Sequence, residues 1–123
     1  MDDSRDIPIY TTAELVRWFG HTPRWWRRRR PPGATRWTFA AVAAVLGVPD
    51  TDAIPLPRAP VPTTIHPDYA WGAPRLVRGA VAWHIVLERL LAGESDASVA
   101  ADWDLAVADV IALRTAHAKG VKP

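Results

Sequence analysis

Cysteine is absent from the 123 residues, which excludes disulfides, cysteine-ligated zinc and thiol catalysis together. Long apolar runs are missing too. No stretch approaches the roughly eighteen residues of a membrane-spanning helix, and the opening Met-Asp-Asp carries the wrong charge for a secretory leader. A cytoplasmic protein without membrane contact is therefore expected. Neither a Gly-rich phosphate loop nor a nucleophile elbow is present, and His21, His66, His84 and His117 show no metal-ligand spacing. The expectation is a protein that is not an enzyme and has no metal, cofactor or small-molecule substrate. What remains is 49% hydrophobic and 23% charged, the balance of a folded chain long enough for one domain or two small ones.

Acidic residues are also missing locally. Between Leu15 and Pro49 the chain carries seven arginines (Arg17, Arg24, Arg27, Arg28, Arg29, Arg30 and Arg36) and no Asp or Glu. The remainder holds eight basic against thirteen acidic groups, so an overall charge of +2 conceals a segment at +7 and a remainder at −5. Such asymmetry points to a polyanion on one side and a different partner on the other.

Residues 1–48 read as one module. Thr11-Thr12-Ala13-Glu14 has the pattern of a capping box, and the helix it opens is stopped by Gly20. Thr22-Pro23 caps a second helix running to Arg30, which Pro31-Pro32-Gly33 ends. Thr38 caps a third, Phe39 to Leu46, before Gly47. Helix, tight turn, arginine-laden helix, short loop and helix make a helix-turn-helix with a short wing.

Residues 49–63, with Pro49, Pro55, Pro57, Pro60 and Pro62, show no helical or strand periodicity and predict an extended, semi-rigid linker. At roughly 3.1 Å per residue it would span about 40 Å. Residues 64–123 predict a second trihelical, homeodomain-like bundle after an irregular stretch from His66 to Pro74. Its helices run from Val81 to Ala92, from Ser95 to Asp102, and from an Asp104 cap to Lys119. The whole is expected to be all-α. In the first of these helices Trp83, Ile85, Val86, Leu87, Leu90 and Leu91 cover most of the circumference. A helix apolar nearly all round is buried on more than one side, so these residues are assigned to a dimer or partner-protein interface.

Two resemblances attach to these motifs. Residues 10–47, with the tyrosine before the capping box, the Gly-His-Thr-Pro turn and the basic aromatic helix, resemble the MerR-type helix-turn-helix. Residues 66–116 resemble the bacterial family known as domain of unknown function 433, through His66-Pro67, Gly72-Ala73-Pro74, Ile85 to Leu91, Ala92-Gly93-Glu94-Ser95 and Ala100 to Leu105. That family's Gly-Thr-Arg turn falls on Arg78-Gly79-Ala80, with the glycine displaced and the arginine lost. The resemblance implies an antitoxin that binds operator DNA, represses its own operon and neutralises a PIN-like ribonuclease toxin, and the apolar helix from Val81 to Leu91 adds the expectation of a homodimer. Two other readings stand beside it. One is a stand-alone dimeric regulator or excisionase-like DNA binder, the other an adaptor for RNA or an acidic protein.

Within the arginine-laden helix the rotation can be assigned. Trp26 is expected in the core, which turns Arg24 and Arg28 directly outward, flanked by Arg27 and Trp25 at 100° per residue. Arg29 and Arg30 lie nearer the core side and snorkel outward. A charge run is ordinarily a solvated face. Four adjacent arginines without a counter-ion nevertheless repel one another, and phosphate is their natural partner. Arg24, Trp25, Arg27, Arg28, Arg29, Arg30 and Arg36 are thus the candidate DNA contacts, the first four at base edges or beside them.

Overall fold

The computed structural model describes residues 4–121. After a 3-10 turn at Ser4–Asp6 come β1 (Pro8–Tyr10), α1 (Thr12–Phe19), α2 (Pro23–Arg29), β2 (Trp37–Thr38) and α3 (Phe39–Leu46). There follow β3 (Ile54–Pro55), β4 (Thr63–Ile65), a 3-10 turn at Ala70–Gly72, β5 (Arg75–Leu76), α4 (Trp83–Leu91), α5 (Asp96–Asp102) and α6 (Val107–Ala118). The expected all-α class is overturned. β1 and β2 pair antiparallel across the wing, and β3, β4 and β5 form a second antiparallel sheet in that order. The fold is mixed α/β.

The helices begin where side chains satisfy their free N–H groups. Thr11 Oγ1 accepts from the Glu14 N–H at 3.2 Å while the Glu14 carboxylate accepts from the Thr11 N–H at 2.9 Å, closing the capping box. Thr22, Thr38 and Ser95 cap α2, α3 and α5 in the same way. Asp104, expected to cap the last helix, does not: it sits in the left-handed region at φ 52°. Ala106 occupies the cap of α6 with no side-chain hydrogen bond.

Residues 49–63 are not a free spacer. Ile54 and Leu56 are buried against Trp18, Trp26 and Ile65 in the core around α1–α3, while Val61 joins Leu76 and Trp83 in the core around α4–α6. Ala59 packs on both. Burial of these four apolar residues favours a folded path over an extended one. Strands of two or three residues are too short to show the period-two alternation by which a strand is read.

Candidate nucleic-acid interface

α2 is anchored by a single side chain. Trp26 is fully buried; its Nε1–H donates to the Gly20 carbonyl at 2.9 Å, and its ring meets Trp37 edge-on at 5.5 Å. Gly20, at φ 89°, reverses the chain between α1 and α2, where a left-handed backbone favours glycine. Fixing Trp26 inward fixes the opposite face outward. Arg24, Arg27 and Arg28 are exposed and make no ion pair among the described residues.

The flanking residues are more committed. Trp25 is half-buried, with the His21 ring stacked on it at 3.7 Å and the Arg29 guanidinium 3.9 Å from its ring centre. Arg29 Nη1 also donates to the Trp25 carbonyl at 2.9 Å. Trp25, expected among the contact residues, is therefore placed as the platform that holds Arg29. Arg30 reaches the wing, its Nη1 donating to the Thr35 carbonyl at 3.5 Å, and Arg36 is exposed one residue before buried Trp37. The structure thus gathers the seven assigned residues on α2 and the wing that follows it.

One neighbouring cation escaped the sequence reading. Arg58, in the proline-rich stretch, donates from its backbone N–H to the Trp18 carbonyl at 3.2 Å and from Nη1 to the Val16 carbonyl at 3.3 Å. Its side chain lies against Gly20, at the turn between α1 and α2. A cation at the C-terminal end of a helix is favoured by the helix dipole, yet no local pattern ties residue 58 to residue 16.

The residues assigned to a protein interface divide. Trp83, Val86, Leu87 and Leu90 are buried in the chain's own core with Val99, Leu105, Val110 and Leu113. Only Ile85 and Leu91 face solvent, at 39% and 67% exposure. The reason is the second sheet and the stretch leading into it: Leu76 of β5 and Val61, just before β4, cover a side of α4 that a bare three-helix bundle would leave open. Arg89, on the same helix, pairs with Glu94 and lies 2.5 Å from Asp102, and the guanidinium holds the Glu94 carboxyl below its ordinary range.

Among the described residues, His, Asp and Glu form no cluster of three that would hold a metal ion. No helix of the described residues is long and apolar enough to cross a membrane. No protein-family model matches the chain, and no curated protein matches it. A crystal structure of Rv2018 from Mycobacterium tuberculosis is similar at 20% identity and a TM-score of 0.48, over 80% of this chain. The match spans about half of that protein's length, 51%.

Proposed function

We propose that the chain binds duplex DNA through α2 and the wing, as the DNA-binding antitoxin of a toxin–antitoxin pair that represses its own operon. The observation that carries DNA binding is the outward face of α2: three exposed arginines without acidic partners among the described residues, held in register by buried Trp26. A major groove about 12 Å wide admits a helix, and arginine reads guanine there with two hydrogen bonds. Arg24, Arg27 and Arg28 take that role; Arg29, Arg30 and Arg36 take phosphates, which position the helix without reading sequence. The toxin part of the reading rests on the resemblance of residues 66–116 to the antitoxin family.

A titration of Arg28→Ala and Arg30→Ala against the DNA upstream of the protein's own gene, and against scrambled duplexes, tests the assignment. Arg28→Ala weakens specific binding by about 1–3 kcal/mol and relaxes preference at one base position. Arg30→Ala weakens all duplexes alike and lowers the salt slope by about 1. Equal behaviour of the two variants on both measures overturns the rotation. RNA or an acidic protein outcompeting duplex DNA for the wild type points to the adaptor instead.

A second reading has a specific observation in its favour. Four of the six α4 residues assigned to a dimer or toxin interface are used in the chain's own core, which leaves little of α4 for a toxin and favours a stand-alone regulator. Co-expression of the full chain with the product of the adjacent gene decides between them. A stable complex supports the antitoxin; its absence leaves the regulator.

A further inference from the structure

The seam between the two cores is open on one side. A hollow of about 370 Å³ lies there, walled by Trp18 of the core around α1–α3, Trp83 of the core around α4–α6, and Ala59, which packs on both. Val16 and Val121 add apolar surface, and Arg17 and Arg58 add guanidinium groups. Among the described residues no carboxylate lines the hollow, and no nucleophile or acid–base pair does either. Sites for small molecules enclose about 300–1,000 Å³ and set a few polar groups in a mostly apolar wall. This hollow has that size and that make-up, and its charge is of one sign.

Three side chains on its wall are short of acceptors. The indole N–H of Trp18 and that of Trp83 are buried and have no hydrogen-bond partner among the described residues. An unmet buried donor is costly, and native structures hold few of them. Arg58 is fixed in place by its backbone N–H, which donates to the Trp18 carbonyl at 3.2 Å, and by Nη1, which donates to the Val16 carbonyl at 3.3 Å. Its remaining guanidinium N–H groups have no partner among the described residues. A positioned cation, two unmet indole donors and an apolar wall meet in one place.

We propose that the hollow binds a small organic anion, a carboxylate on a flat apolar body, its oxygens accepting from Arg58 and from an indole N–H. A carboxylate matches the guanidinium fork with paired, charge-assisted hydrogen bonds, and tryptophan rings suit a flat apolar partner. The occupant is a ligand and not a substrate, since nothing reactive lines the hollow. The site is separate from α2 and does not depend on the DNA reading. A DNA phosphate would bring the charge without the apolar body, so ligand chemistry tells the two apart.

Titration calorimetry of the full chain with 2-naphthoate, naphthalene-2-carboxamide and inorganic phosphate tests it, on the wild type and on Arg58→Gln, Arg58→Lys and Val121→Trp. The wild type binds 2-naphthoate at submillimolar concentration, and the neutral amide and the phosphate each bind about 10-fold more weakly or worse. Arg58→Gln lowers affinity for 2-naphthoate by about 10-fold or more and leaves the amide unaffected, while Arg58→Lys, which keeps the charge, recovers part of the loss. Val121→Trp fills the hollow from a position 40% exposed and abolishes binding. Because both cores supply the wall, bound 2-naphthoate also raises the wild-type melting temperature by mass action. A wild type that binds none of the three overturns the proposal. Equal binding of the amide would make the hollow a plain apolar groove, and equal binding of phosphate a bare cationic patch; either overturns it. Unchanged affinity in Val121→Trp, or in a folded Arg58→Gln, would put the probe elsewhere, with the same consequence. If Arg58→Gln fails to fold, the amide comparison and Val121→Trp still decide.

Discussion

Gly79 and Ala80 show how much a single backbone position can carry. They close the hairpin in which the Leu76 N–H donates to the Val81 carbonyl at 2.8 Å, with φ of 80° and 51°. A Cβ on Gly79 would meet the Trp103 carbonyl at 2.5 Å and Leu105 Cδ2 at 2.7 Å. The first of these is backbone and has little room to yield. Gly79→Ala therefore lowers stability by roughly 1–3 kcal/mol, from strain and overlap together. Ala80→Gly removes a left-handed alanine while adding flexibility to the unfolded chain, so stability holds or rises by up to about 1 kcal/mol. Urea denaturation of the two variants reads the difference, and equal destabilisation would refute the assignment of strain to Ala80. The displaced glycine was visible in the sequence; that its neighbour would share the left-handed conformation was not. Adjacent tryptophans were more legible. The 100° turn of a helix separates Trp25 from Trp26, and Trp26 is buried as that geometry expects. The His21 and Arg29 contacts on Trp25 depend on rotamers that no pattern encodes.

At the scale of elements, what was legible has a local cause. Thr11 with Glu14, Thr22 with Pro23, and Thr38 with Gly47 are signals within a few residues of the helix ends they set, and α1, α2 and α3 lie where those signals put them. The strands have non-local causes. Thr63 pairs with Leu76 and Ile54 with Ile65, across separations that a two-residue strand does not announce. Missing the sheet led directly to misplacing α4's apolar face. A helix apolar nearly all round needs two partners, and here the second is Val61 and Leu76 of the same chain. The division within α4 is testable. Leu87→Ala opens a cavity in the core and costs about 2–5 kcal/mol. Leu91→Lys, at a position 67% exposed, changes monomer stability by no more than about 0.5 kcal/mol. Thermal melts of the two variants decide it; a Leu91→Lys protein as unstable as Leu87→Ala would mean that α4 faces something other than the present core.

At the scale of the whole molecule the two cores are joined by shared structure. Ile54 and Ile65 of the second sheet, with Leu56 just after β3, belong to the core of α1–α3, while Leu76 of the same sheet and Val61, just before β4, belong to that of α4–α6. Arg58 ties the same stretch to the end of α1, and the Tyr10 hydroxyl reaches across to Gly72. A sheet that contributes to both cores cannot be lost from one alone, so the chain unfolds in a single cooperative transition, with Trp26→Ala and Trp83→Ala each shifting the whole of it. Tyr10 adds a dependence on pH. Burial, and secondarily the Glu14 carboxylate, push its hydroxyl well above the ordinary value of 10.0. The folded state holds the proton more tightly than the unfolded chain does, so below pH 10 this group leaves stability unchanged, and above it stability falls as the unfolded form ionises. Tyr10→Phe loses the hydrogen bond to Gly72, about 1 kcal/mol at neutral pH, but declines less steeply above pH 10. Helix content followed by circular dichroism and core packing followed by tryptophan fluorescence, from pH 7 to 11, supply the measurement. Coincident transitions whose gap between wild type and Tyr10→Phe narrows above pH 10 bear out the coupling; two separate transitions would show that the halves fold independently despite the sheet between them.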